Sequence, residues 1–197
     1  MLFRSNRLWP LSNETRSKQF LKILNNAAGQ RESMVQRVWN QLGKMNLTQT
    51  AVVATGRSQV ELLQNQLGHE VEIIVEPERR DTFPAIALTA GYLYSVKGVS
   101  LNDVVIVLPV DPFVEDHFFE KVKELKALML ETEADLGLMG VSPDHPSSKF
   151  GYIIPKSVSQ LSNGMEFYKV SHFVEKPEEQ HALQLIEQSA LWNCGVF

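Results

Sequence analysis

The sequence predicts an α/β protein built on a mostly parallel open sheet flanked by helices. Two observations carry that prediction. Runs rich in β-branched residues and leucine, at 51–54, 71–75 and 104–108, alternate with segments whose apolar residues recur at helical spacing. Strand–helix–strand alternation implies right-handed crossovers and hence parallel pairing. The second observation is D-V-V-I-V-L-P-V-D-P at 103–112. Its unbroken apolar run fits a strand buried on both faces, and Pro109 stops it, because proline cannot donate to a sheet ladder. Asp111 then stands past the strand's carboxyl end, where open α/β sheets bind ligands. A carboxylate there can hold Mg²⁺ against phosphates, or simply open a turn or cap the next helix.

The elements follow in order. The start, with Pro10 and a polar 12–17 segment, reads as a loop crowded by Arg4, Arg7, Arg16 and Lys18. Residues 30–42 place Met34, Val35, Val38, Trp39 and Leu42 at helical spacing, and Gly43 is a plausible stop. A short strand at 51–54 precedes a turn at Thr55-Gly56 and a helix carrying Val60, Leu62, Leu63 and Leu67, ended by Gly68. After the strand at 71–75, Asp81 or Thr82 can cap a helix that tolerates Pro84 in its first turn. The free N–H groups of such a helix start suit an anion or the polar edge of a base. An amphipathic helix spans 118–129, a strand 134–141 and a loop 142–149. Two strands at 151–154 and 167–174 flank a polar turn at 162–164, a helix covers 183–191, and a strand begins at Trp192. The part from about Phe150 is strand-rich and adds a subsidiary sheet.

The 197 residues suggest one domain, long enough to bury roughly 70% of the unfolded surface. A net charge of −4 argues against a general nucleic-acid binder, and no apolar run reaches membrane-spanning length. The single cysteine, Cys194, excludes an internal disulfide framework. A cytoplasmic protein is the default reading, and the composition leaves room for a homo-oligomer. The five histidines, at 69, 117, 145, 172 and 181, fit no zinc spacing. There is no G-x-S-x-G elbow, Walker P-loop or G-x-G-x-x-G. What remains is a set of cations and carboxylates spread along the strand ends: Arg7, Lys18, Asp111, Glu175 and Lys176. Such a set suits a polyphosphate substrate, which needs charge neutralisation and in-line positioning rather than a covalent intermediate.

Several blocks in fixed order, R-L-W-P-L-S with K-Q-F-L, E-P-E-R-R-D-T-F-P-A-I-A, L-P-V-D, F-G-Y-I, F-V-E-K-P and W-N-C-G-V-F, together resemble the bacterial mannose-1-phosphate guanylyltransferases. The blocks span nearly the whole chain, and the ordered set is far more specific than any one of them. The resemblance implies a Rossmann-like nucleotide-diphospho-sugar transferase fold. Residues 1–197 would be one catalytic domain, with a nucleotide-binding part at 1–149 and a sugar-phosphate-binding part at 150–197. It implies GTP and mannose 1-phosphate as substrates, Mg²⁺ as cofactor, and GDP-mannose and pyrophosphate as products. Arg7 and Lys18 would grip the GTP phosphates, Arg80, Asp81 and Thr82 would border the guanine, and Asp111 would hold Mg²⁺. Gly151 would let the backbone approach the sugar, Glu175 would accept sugar hydroxyls, Lys176 would meet the sugar phosphate, and Asn193 would contact the mannose.

The sequence departs from the family pattern in several places. No glycine precedes Arg7 where the family has a G-G-x-G-x-R loop. Ser17 stands for the usual proline, Asp81 for a common asparagine and Lys149 for a usual glycine. The family's second metal-binding aspartate would fall beyond Phe197. The chain therefore reads as a catalytic domain incomplete at both ends, without the family's C-terminal isomerase-type domain, or as a divergent product of an altered start. The alternatives are a related sugar-1-phosphate nucleotidyltransferase, or a non-catalytic binding or regulatory subunit of the same fold.

Overall fold

The computed structural model describes residues 17–78, 80–132, 134–162 and 165–197. The chain divides into two compact units. The first runs to Val105 and resumes over Pro109–Phe119; the second takes Ile106–Leu108 and Glu120–Phe197.

The first unit opens on a 3-10 turn, Lys18–Phe20, followed by a two-stranded hairpin of β1 (Leu24–Asn25) and β2 (Arg31–Glu32). Helix α1 (Met34–Lys44) starts where it does because of a capping box. The Ser33 hydroxyl accepts the Gln36 N–H, and the Gln36 side chain accepts the Ser33 N–H, both at 3.2 Å. Two otherwise orphaned donors are thereby satisfied. Val35, Val38 and Leu42 are buried, as the spacing predicts. Gly43 does not stop the helix but lies inside it. A single interior glycine costs only about 1 kcal/mol, which the buried face offsets.

Strand β3 (Val53–Gly56) pairs in parallel with β4 (Ile73–Glu76), Val53 opposite Ile73 and Gly56 opposite Glu76. Helix α2 (Val60–Leu67) connects them and ends at Gly68, whose φ of 96° suits a residue without a Cβ. This is the strand–helix–strand unit expected from the pattern, displaced by two residues at its first strand. Phe20, Val35 and Leu63 form the core, packed on by Val53, Leu62 and Ile73. Each such side chain contributes about 1.5–3 kcal/mol on burial. Helix α3 (Thr82–Ser95) is tied at its far end to the residue before β4. Tyr92 donates to the Glu72 carboxylate at 2.5 Å, and Lys97 pairs with it at 2.7 Å. Lys97 first, then Tyr92, hold the Glu72 carboxyl below its usual range.

Helix α4 (Asp116–Thr132) carries the chain from the first unit into the second. There β5 (Gly140–Val141), β6 (Gly151–Ser162), β7 (Met165–Glu175) and β8 (Leu191–Asn193) form one antiparallel sheet in the order β5–β8–β6–β7. Helix α5 (Glu179–Glu187) buries Ala182 and Leu185 against Tyr152, Ile154 and Ala190. The α/β class is as predicted. Among the described residues the parallel part is the β3–β4 pair, and the strand-rich later part is antiparallel.

Two strands differ from expectation. Residues 104–108 form no strand, and Val105 is 44% exposed. Their ladder bonds are the reciprocal pair between Val107 and Phe197, at 2.8 and 3.2 Å. Apolar content does not make a strand without neighbours to pair with. Of the strand expected at 134–141, Gly140–Val141 form β5, and Met139 before them donates its N–H to the Val196 carbonyl at 3.3 Å.

Candidate functional site

In the first unit the site is built around Lys18. Ser17 before it is extended, and its hydroxyl accepts a hydrogen bond from Gln59 Nε2 at 2.6 Å. Gln59 is wholly buried, and its Oε1 accepts from the Thr55 hydroxyl at 3.1 Å, near the carboxyl end of β3. On the other side of Lys18, the Phe20 carbonyl accepts from Gln66 Nε2 at 2.9 Å, and Gln66 Oε1 in turn accepts from Ser33 at 2.5 Å. Two glutamines seven residues apart thus pin the chain on both sides of one lysine. Nothing in the apolar pattern singled them out. Gln59 stands just before α2 and Gln66 in its last turn.

Lys18 Nζ reaches Asp111 Oδ2 at 2.6 Å. Two members of the charged set expected at the strand ends are thus in direct contact. Asp111 leads into a segment that α1 holds from below. Gln41 Nε2 donates to the Val114 carbonyl at 2.9 Å and to Asp116 Oδ1 at 3.0 Å, and Lys44 pairs with Asp116 at 2.7 Å. Lys44 first, then Gln41, hold the Asp116 carboxyl below its usual range.

Among the described residues no group of three or more His, Cys, Asp or Glu side chains converges as a metal cage. Mg²⁺ commonly leans on one or two carboxylates and completes its shell with waters and substrate phosphates. Asp111 offers such a single carboxylate, and its present partner is an ammonium.

Arg80, Asp81 and Thr82 lie together where the chain turns from β4 into α3. Arg80 pairs with Glu78 at 2.7 Å. Asp81 is the residue before the helix, yet its side chain makes no capping bond, and its backbone sits at φ 65°, ψ −162°. Residues with a Cβ rarely adopt that conformation. Arg7 lies outside the described residues.

In the second unit the other candidates share one row of the sheet. Gly151 faces Glu175 across β6 and β7, and Asn193 faces Gly140 across β8 and β5. Tyr152 faces Trp192 in the β6–β8 register, so Asn193 falls level with Gly151. Side chains in one row share a face. The row therefore reads Gly140, Asn193, Gly151, Glu175. A Cβ on Gly151 would sit 2.6 Å from Glu175 Oε2 and against the Phe173 ring, so those side chains fill the space that the glycine leaves. Lys176 follows at φ 46°, donates its N–H to the Phe150 carbonyl at 3.2 Å, and pairs with Glu175 at 2.6 Å. Asn193 Oδ1 accepts the Gly195 N–H at 3.0 Å. Before the row, the fully buried Tyr152 hydroxyl accepts the Ser147 N–H at 3.0 Å and donates to the Ser147 carbonyl at 3.1 Å, closing the 142–149 loop. Cys194 donates to the Met139 carbonyl, and burial pushes its thiol pKa up, away from a nucleophile's range.

The sequence matches the nucleotidyl transferase family model over residues 4–197. The chain belongs to the nucleotidyl transferase family. A mannose-1-phosphate guanylyltransferase of Escherichia coli is 33% identical over 97% of this chain and 41% of its own length. The alginate biosynthesis protein AlgA of Pseudomonas fluorescens is 30% identical over 98% of this chain and 38% of its own. Among solved structures, one named as a mannose-1-phosphate geranyltransferase, from Thermus thermophilus, superposes with a TM-score of 0.76 at 29% identity. The match covers 96% of this chain and 52% of that one. This nucleotidyl transferase chain thus spans about two fifths of the length of these curated relatives.

Proposed function

We propose that this nucleotidyl transferase is a mannose-1-phosphate guanylyltransferase, transferring GMP from GTP to α-D-mannose 1-phosphate to give GDP-mannose and pyrophosphate. The observation that carries the reading is the direct contact of Lys18 with Asp111. A cation and a carboxylate on one spot can serve the phosphates and their metal together. The names of the relatives, mannose-1-phosphate guanylyltransferase among them, favour the sugar and the base.

In this reading a phosphate oxygen of mannose 1-phosphate attacks the α-phosphorus of GTP. The bond from the α-phosphorus to the bridging oxygen breaks, and pyrophosphate leaves with that electron pair. No protein nucleophile is needed, so the protein's contribution is alignment and charge stabilisation. Lys18, with Arg7, draws negative charge from the triphosphate; Lys18 is a mobile point charge, whereas Arg7 can bind two oxygens at once. Bound at Asp111, Mg²⁺ would neutralise charge on the phosphates. Arg80, Asp81 and Thr82 border the guanine. Glu175 and Asn193, in one row, accept and donate to sugar hydroxyls, and Lys176 meets the sugar phosphate. The nucleotide part, 1–149, and the sugar part, 150–197, each supply one reactant's contacts.

The test is pyrophosphate release by the purified protein with GTP, mannose 1-phosphate and Mg²⁺, beside a panel of other nucleoside triphosphates and sugar 1-phosphates. Release with GTP and mannose 1-phosphate, and clearly less with the others, is the expected result. Preference for another pair would reassign the substrates. Nucleotide-sugar binding by calorimetry without turnover would make it a binding subunit.

A further inference from the structure

Helix α1 places Arg37, Gln41 and Lys44 at i, i+4 and i+7, one stripe down one face. All three reach the segment just beyond Asp111. Arg37 Nη2 donates to the Val114 carbonyl at 3.4 Å, and its guanidinium lies 4.4 Å from the centre of the Phe113 ring. Gln41 commits both amide hydrogens to this segment, one to the Val114 carbonyl and one to Asp116. Its Oε1 is left buried with no hydrogen-bond partner. A leucine or methionine would avoid that unpaired acceptor, so packing alone does not account for glutamine at this position. What the amide does supply is two bonds that fix the chain three and five residues after Asp111.

We propose that the Arg37–Gln41–Lys44 stripe is a positioning clamp: it acts through the 113–116 segment to hold the Asp111 carboxylate where Lys18 and the phosphates need it. The proposal rests on the catalytic reading above. None of the three side chains touches the reacting atoms. Displacement of a reacting geometry by about 1 Å can cost roughly a hundredfold in rate. A loop with two exposed flanks, Phe113 and Glu115, would allow such displacement if unclamped.

The experiment compares wild type with Gln41→Met, which keeps length and volume but removes both amide bonds. A second variant, Asp116→Ala, breaks the clamp from the other side, at the half-exposed first residue of α4. Amide hydrogen exchange over 110–116 is read alongside kcat, KM for the sugar phosphate and the Mg²⁺ concentration for half-maximal rate. The clamp predicts exchange about tenfold faster over 110–116 in both variants. It also predicts kcat reduced about tenfold or more, a raised Mg²⁺ requirement, and an unchanged sugar-phosphate KM. Unchanged exchange in that segment, or faster exchange with kcat and Mg²⁺ dependence intact, would overturn it. So would a wild-type segment that already exchanges at the unfolded rate. If the wild type turns over no substrate, the catalytic reading fails by itself. The exchange data then still decide whether the stripe orders the Asp111 segment.

Discussion

Lys18 Nζ lies 2.6 Å from Asp111 Oδ2, in a contact that leaves 28% and 26% of the two side chains open to solvent. An ammonium there occupies one of the places a divalent ion would take. In the proposed reaction the carboxylate would exchange partners when metal and triphosphate arrive. Lys18→Met should bind Mn²⁺ alone more tightly than wild type, on the order of five- to tenfold, since an opposing charge is removed. It should also lose turnover by about a hundredfold. Titration by electron paramagnetic resonance, with kinetics alongside, checks both; tighter metal with full activity would remove Lys18 from the mechanism.

Asp111→Asn keeps the size and removes the charge. Slower turnover, by about a hundredfold or more, and a flattened Mg²⁺ dependence are expected, because a neutral amide is a poor ligand for a hard dication. Stability should change by less than about 1 kcal/mol, the usual range for a solvent-accessible pair. Thermal melts decide it: a collapse in melting temperature would make Asp111 a structural residue.

Gly151→Ala drives a methyl group into the seat of Glu175 and Phe173. Both obstacles are the far ends of flexible side chains, so the fold should survive with a loss of about 1 kcal/mol, near the low end for overpacking. The carboxylate, however, leaves its place above the row. KM for the sugar phosphate should rise about tenfold while the nucleotide KM stays near wild type. Equal changes in both would show that Glu175 does not serve the sugar side.

Tyr152→Phe removes one hydroxyl that satisfies both backbone groups of Ser147. Ser147 is buried, so its N–H and C=O lose their partner without gaining water. The cost should be about 1–3 kcal/mol by urea denaturation. A loss below about 0.5 kcal/mol would mean that the loop finds another partner.

Acid should release the α1 contact. Lys44 and then Gln41 lower the Asp116 pKa in the folded state. A depressed carboxylate contributes stability above its unfolded pKa of about 3.9, and that contribution disappears as pH falls through the folded value. In Asp116→Asn the decline in stability between about pH 4 and the folded pKa should be shallower than in wild type. Chemical denaturation from about pH 7 down to about pH 3 measures it. Parallel curves would show no linkage.

The helices were the most legible part of the fold, because their apolar residues recur on one face; the Ser33–Gln36 capping box that starts α1 at Met34 is not part of that pattern. The strand–helix–strand unit from β3 to β4 was legible for the same reason. The 104–108 run was misleading. Its composition states what it could bury, whereas strand formation depends on partners elsewhere in the chain. Lys18 and Asp111 could be picked out as charge types at plausible strand ends, but no local rule gives the distance between residues so far apart in sequence. Arg37, Gln41, Gln59 and Gln66 do not stand out in the sequence. Their importance lies in which atoms they reach, and periodicity carries no information about that. The space above Gly151 is likewise a property of two strands together, visible only once Glu175 is placed opposite.

The links that bracket Lys18, from Thr55 through Gln59 to Ser17 and from Ser33 through Gln66 to Phe20, are made wholly of amides, hydroxyls and one carbonyl. None of these groups ionises near neutrality, and none is weakened appreciably by added salt. In the proposed reaction a triphosphate and its counterions would change the local potential sharply each time they bind and leave. The lysine would respond to that change, while the frame that aims it would not. Ionic strength should therefore act on the affinity of the substrate and on the grip of Lys44 on Asp116, and leave the seat of Lys18 in place through every cycle.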